Sequence, residues 1–215
     1  MKYIDSAFRV GVSAMKKLML LAILMVGYSA GAQTTYTIGT GTGTVAYFPL
    51  YSCYGYNYSQ QIYLASELSA AGASAGMISK IRFQVGSMTT TTNWDDSWVI
   101  YLGNTSQSSF SSGTNWVPVT SMTQVYSGSV SPPSTSGAWM EITLDTPFMW
   151  NGSDNIVVGV DENEAGYNCT AYWRYTGATT NRAISYWSDF TNPSPASPPS
   201  ANTSSLYWTR VPNIQ

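Results

Sequence analysis

Apolar and polar residues alternate with a period of two along much of this chain. From Ile78 to Val85, Ile81, Phe83 and Val85 share one face while Lys80, Arg82 and Gln84 share the other, which predicts a strand with one buried face. Trp98 to Leu102 is apolar on both faces, Trp98, Ile100 and Leu102 against Val99 and Tyr101, and suits a central strand covered on both sides. Met140 to Asp145 alternates again, and Ile156 to Asp161 sends Ile156, Val158 and Val160 inward with Gly159 and Asp161 facing away. Further strand candidates are Ile62–Leu64, Met122–Val125, Ala171–Tyr175, Ala183–Trp187 and Leu206–Arg210. Only Ala65–Ala71, anchored by Leu68, has a turn or two of helical character.

About ten short strands, bounded by Gly, Asn, Ser and Pro and with no long helical period, predict an all-β fold: a two-layer antiparallel β-sandwich, jelly-roll-like. A closed barrel is the competing arrangement. The stretch from Asn192 to Pro199 carries four prolines and cannot supply a central strand, because proline lacks the ladder donor. Strand chemistry returns at Leu206, so the Pro-rich piece reads as a loop inside one domain.

The start of the chain is of a different kind. Met15-Lys16-Lys17, the apolar run Leu18–Val26 and the small residues Ser29-Ala30-Gly31-Ala32 have the three parts of a secretory signal, too short to span a bilayer. Residues 1–32 therefore read as a signal-peptide region, with Met15 as a candidate true start, and 33–215 as a single β-sandwich domain. Without those 32 residues, five basic side chains (Lys80, Arg82, Arg174, Arg182, Arg210) face ten acidic ones, a net charge of −5. Five scattered cations argue against nucleic acid as a partner. Two cysteines remain, Cys53 and Cys169, and an oxidising compartment allows a disulfide between them; two separate buried thiols are the other reading.

Several segments carry a resemblance: Thr37–Thr42, Tyr58–Leu64, Trp98–Thr105, Trp139–Phe148 and Asn155–Asn163. Together they resemble the amino-terminal β-sandwich of large secreted surface proteins of the Bacteroidetes, a domain often followed by fibronectin type III modules and a type IX sorting domain. The resemblance spans about Thr35 to Gln215 and implies a secreted or cell-surface protein, with no catalytic or ligand residue to carry over. Neither the modules nor the sorting domain follows before Gln215, which sets a fragment or a periplasmic product beside surface display as an expectation.

The chain contains no histidine, which removes Ser-His-Asp, Cys-His and His-metal chemistry. A glycosidase needs only two carboxylates. Glu141 and Asp145 on one strand face would stand roughly 13 Å apart, beyond the ~5–9.5 Å that either mechanism uses. Glu162 and Glu164 would be about 7 Å apart if extended, though their surroundings read as a solvated strand end. The same stretch, Asp161, Glu162, Asn163 and Glu164, offers hard oxygen ligands, so a structural calcium ion is the one cofactor the sequence suggests, with Asp154 and Asp189 as completions. Thr40–Thr44 lacks the spacing and helix of a phosphate loop and reads as a Gly-rich edge segment.

Aromatic richness carries the strongest suggestion of binding, since rings bury much area at low entropic cost. Tyr54, Tyr56 and Tyr58 would project from one side if extended, and Trp173 and Tyr175 share a face on a later strand. The expected function is a non-catalytic secreted or cell-surface binding or adhesion module for a glycan or a surface protein, with no membrane insertion after signal cleavage. A structural spacer without its own ligand and a two-carboxylate carbohydrate hydrolase are the alternatives.

Overall fold

In the computed structural model the described residues are 33–88 and 93–215, so the signal-peptide reading of residues 1–32 lies outside them. The period-two segments become strands: β1 (Gly43–Val45), β2 (Tyr56–Tyr63), β3 (Gly76–Ser87), β4 (Trp98–Thr105), β5 (Thr123–Gly128), β6 (Trp139–Trp150), β7 (Asn155–Glu162), β8 (Tyr172–Gly177), β9 (Ala183–Ser188) and β10 (Arg210–Pro212). A short helix, α1 (Ala65–Ala70), follows β2 and buries Leu68.

Two antiparallel sheets result, one ordered β1-β8-β3-β6 with β10 joined to β8, the other β5-β4-β7-β2-β9. The pairs β1 with β8, β2 with β7, β3 with β6 and β4 with β5 are nested. The first eight strands are thus one long antiparallel hairpin rolled over on itself, the topology of a jelly roll. It is not a barrel, for the second sheet ends at free edges on β5 and β9.

Alternation explains how the layers pack. Ile156, Val158 and Val160 of β7 join Trp98, Ile100 and Leu102 of β4 and Ile81, Phe83 and Val85 of β3 in the larger core between the sheets. Val157 of β7 and Ile62 of β2 point the other way and, with Phe110, Val117, Ile184 and Trp208, form a second core. Chain from outside the sheets therefore covers the second face of the β5-β4-β7-β2-β9 sheet. Residues Thr35–Gln215 form one compact unit.

Two segments differ from the sequence expectation. β2 begins at Tyr56, six residues before Ile62, because its polar side chains are buried and bonded within the fold. Gln60 donates through its side-chain nitrogen to Val117 O and accepts through its oxygen from Val117 N–H, at 2.8 Å each, and Gln61 donates to Ser59 Oγ. The expected strand Leu206–Arg210 is instead a 3₁₀ turn at Ser205–Tyr207, with Ser204 Oγ accepting from Leu206 N–H, and pairing begins only at Arg210. The Pro-rich segment is a loop docked on the body: Pro199 O accepts from the Trp116 indole, and Asn192 donates to Asn163.

Candidate functional site

The connection from β1 to β2 turns through Tyr47, Tyr51 and Tyr54, too irregular for a strand and rich in rings. It is pinned at Ser52 and Cys53. Ser52 O accepts the N–H groups of Asn168 and Cys169, its Oγ accepts those of Thr170 and Ala171, and Cys53 is disulfide-bonded to Cys169. Trp187 comes from the end of β9, where the Asn202 side chain bonds both its N–H and its C=O. Tyr207 comes from the 3₁₀ turn before β10, and Arg210 opens β10 itself.

These separate pieces meet in a continuous row. Tyr54 lies 5.5 Å from Trp187 between ring centroids, Trp187 lies 5.3 Å from Tyr51, Tyr51 lies 4.6 Å from Tyr47, and Tyr47 lies 4.4 Å from Tyr207. The Arg210 guanidinium continues it, 4.5 Å over Tyr207 and 5.2 Å over Tyr175. Separations of this size, with tilted or edge-on planes, are those at which ring quadrupoles attract. All seven residues are half-buried, so each keeps part of its surface to solvent. Phe190, 93% exposed, and Leu206, 79% exposed, flank the row three residues past Trp187 and one before Tyr207. Burial, with hydrogen bonding to Tyr207, pushes the Tyr47 phenol up to about 12, and burial raises Tyr51 as well. At neutral pH both hydroxyls keep their protons.

The sequence-proposed binding residues scatter. Tyr54 and Tyr175 fall at the two ends of the row. Tyr56 is half-buried at the start of β2 and has no ring contact among the described residues. Tyr58 and Trp173 do not belong to an exposed strip: both are fully buried. Tyr58 packs under Trp116 beside Gln60, and Trp173 sits between Trp94, Trp98 and Phe83 in the larger core. β8 alternates, but Tyr-Trp-Arg-Tyr offers a large side chain at every position and so hides which face is inward. Tyr47, Tyr51, Trp187, Tyr207 and Arg210 were missed; Tyr47 and Tyr51 belong with Tyr54 to a ring-rich stretch without strand alternation, and nothing local marks the other three.

The acidic stretch is also rearranged. Asp161 and Glu162 are not a solvated strand end but the last two residues of β7, buried on opposite faces of the sheet as successive strand residues must be. Asp161 bonds Asn163, and burial pushes its carboxyl up to about 6. Glu162 is fully buried, opposite Asn57 on β2 and Trp98 on β4. One of its oxygens accepts from Glu164 N–H at 2.6 Å, and the other has no partner. Burial pushes its pKa up to about 9. Glu164 turns elsewhere and accepts from Asp96 N–H. Among the described residues no group of three acidic, His or Cys side chains is placed to share a metal ion.

The carboxylates weighed for hydrolysis are engaged as well. Glu141 is ion-paired to Lys80 and Arg82, which lowers its pKa, and Asp145 accepts from Ser127 N–H. Among the described residues no helix is long and apolar enough to cross a membrane, and the disulfide is compatible with an extracytoplasmic protein. Compared with known families, curated proteins and solved structures, the chain matches none.

Proposed function

We propose that this chain is a non-catalytic binding module, exported from the cytoplasm, that holds a glycan along the row from Tyr54 to Tyr207. The observation that carries this reading is the unbroken sequence of half-exposed rings, 4.4 to 5.5 Å apart, gathered from three separate segments. Rings with part of a face in water stack on the apolar face of a sugar, and neutral phenols serve as donor and acceptor to its hydroxyls. The leader-like residues 1–32, the disulfide and the resemblance to secreted surface domains support a place outside the cytoplasm. Lectin domains are among those built on the jelly roll, which is an analogy of fold and not of site.

The test is binding to a panel of immobilised polysaccharides with Tyr54→Ala and Tyr207→Ala, at the two ends of the ring row. Each substitution is expected to weaken binding by about tenfold, the equivalent of ~1.4 kcal/mol. Tyr126→Phe on β5 serves as the control and leaves binding unchanged. Retention of wild-type affinity by both end variants would remove the row from the mechanism.

A further inference from the structure

A second surface lies elsewhere, on the outer face of the β1-β8-β3-β6 sheet. Gln84 on β3 and Trp139 on β6 are register partners, and with Arg174 on β8 they line a groove of about 340 Å³. Gly137 and the Thr and Gly residues of the 37–42 segment complete its walls. That segment hugs the sheet because Gly41 has no side chain: a Cβ there would stand 2.0 Å from the Tyr175 carbonyl oxygen. Sites for small organic ligands begin at about 300 Å³, so the groove holds one sugar ring.

Its electrostatics are one-sided. Of the five basic residues beyond position 32, Lys80 and Arg82 pair with Glu141, and Arg182 pairs with Glu67. Arg174 has no carboxylate partner among the described residues, and no acidic side chain lines the groove. Its guanidinium donates only to neutral oxygens, Nη1 to Thr42 O and Nη2 to Ser136 Oγ, while Nε is buried without a partner. A guanidinium carries five N–H donors, so hydrogens on both Nη atoms remain for an anion. Among the neutral wall groups the Gln84 amide is already committed: it donates to Gly137 O and accepts from Asn213. What the groove offers a ligand is therefore a cation and an aromatic ring, with the Thr40 and Thr42 hydroxyls beside them.

We propose that this groove binds an anionic sugar, a hexuronic acid residue, with its carboxylate on the Nη atoms of Arg174 and its ring against Trp139. This site is separate from the aromatic row and does not depend on it. A carboxylate and a guanidinium match in a two-point geometry that a neutral hydroxyl lacks, which is the basis of selectivity for the acidic sugar. A sulfate ester presents a related anion, so the experiment separates the two.

The full chain is titrated calorimetrically with glucuronic acid, with glucose and with glucose 6-sulfate. Saturable binding of glucuronic acid, at least tenfold tighter than of either other sugar, is the expected result. Arg174→Gln and Trp139→Ala each weaken it at least tenfold, while Tyr207→Ala does not alter it. Arg174→Lys, which keeps the charge and loses the fork, falls between wild type and Arg174→Gln and keeps the test valid if Arg174→Gln does not fold. Equal affinity for glucose, tighter binding of glucose 6-sulfate, or full retention of binding in Arg174→Lys together with Trp139→Ala would each overturn the proposal.

Discussion

Glu162→Gln tests the reading of the buried acid at the end of β7. The Glu162 carboxyl is fully buried, and of its two oxygens only one has a donor. Asn57, directly opposite on β2, spends its amide N–H on Tyr186 O and leaves its own oxygen without a donor. A protonated carboxyl carries a hydrogen of its own and no charge, and its register partner Asn57 has an oxygen in need of a donor; a carboxylate would set a bare charge there. Burial is what raises the pKa from 4.5 to about 9, against the opposing Glu164 N–H. Below about pH 4.5 the group is protonated in both folded and unfolded chains and contributes no pH dependence. Between about pH 4.5 and 9 the unfolded chain gives up the proton that the folded one keeps, so stability falls as pH rises, by up to ~1.4 kcal/mol per pH unit. Over the whole window that sets a ceiling on the order of 6 kcal/mol, and water entering the strand end reduces it.

Glutamine keeps the shape, can accept from Glu164 N–H through its oxygen and presents a neutral amide donor on the face it shares with Asn57, with no proton to lose. Thermal unfolding between about pH 5 and 9 reads the difference. The wild-type Tm should fall with pH, at ~2–4 °C per kcal/mol for a domain of this size. The variant should fall much less, matching wild type near pH 5 and exceeding it at alkaline pH. Asp161, pushed up to about 6, acts in the same direction but only between about pH 4 and 6, and is common to both proteins. A Tm difference between the two proteins that is constant with pH would show that Glu162 is ionised in the fold and refute the argument.

Arg182 is nearly buried and both its Nη atoms donate to Glu67 of α1, so Glu67→Ala strands a cation at the start of β9 and should cost about 3 kcal/mol in urea unfolding. Glu141→Ala, which loses only half-exposed pairs to Lys80 and Arg82, should cost under about 1 kcal/mol in the same assay. Reduction of Cys53–Cys169 opens a loop of 116 residues, worth up to ~5 kcal/mol of chain entropy. A lowered Tm with dithiothreitol, absent in the Cys53→Ser, Cys169→Ser double variant, is the expected calorimetric outcome.

How much of this was legible in the sequence follows from which side chains alternate. β3, β6 and β7 were visible because one face of each packs on the opposite sheet, and Ile81, Phe83, Ile142, Leu144, Val158 and Val160 mark that face. β2 was visible only at its end, from Ile62, since Gln60 and Gln61 look like solvent residues; Gln60 is buried because the distant loop at Val117 supplies its partners, and Gln61 donates to Ser59 on its own strand. Glu162 reads as a charged strand end because nothing local shows that the fold buries it and raises its pKa. The aromatic row is a long-range object: Tyr51 and Trp187 are separated by most of the sandwich in sequence, and nothing local in either predicts the other. The Gly-rich edge segment was visible as such and became β1, an edge strand, together with one wall of the groove on the outer sheet face.

The position of the ring row follows from the roll. On one side of the sandwich β5 and β6 approach closely enough for Ser127 N–H to bond Asp145. On the other, β1 and β9 are both edge strands, with no ladder joining them. The connections that cross there must exclude water without forming a sheet, and aromatic side chains do so at low entropic cost while leaving part of each ring outside. Under the proposed function, sealing and binding fall to the same residues. Tyr47, wedged among Tyr51, Trp187 and Tyr207, is mainly seal, so its truncation should lower stability together with affinity. Tyr54 and Tyr207 are the terminal rings, which is why they, and not Tyr47, separate loss of the ligand from loss of the fold.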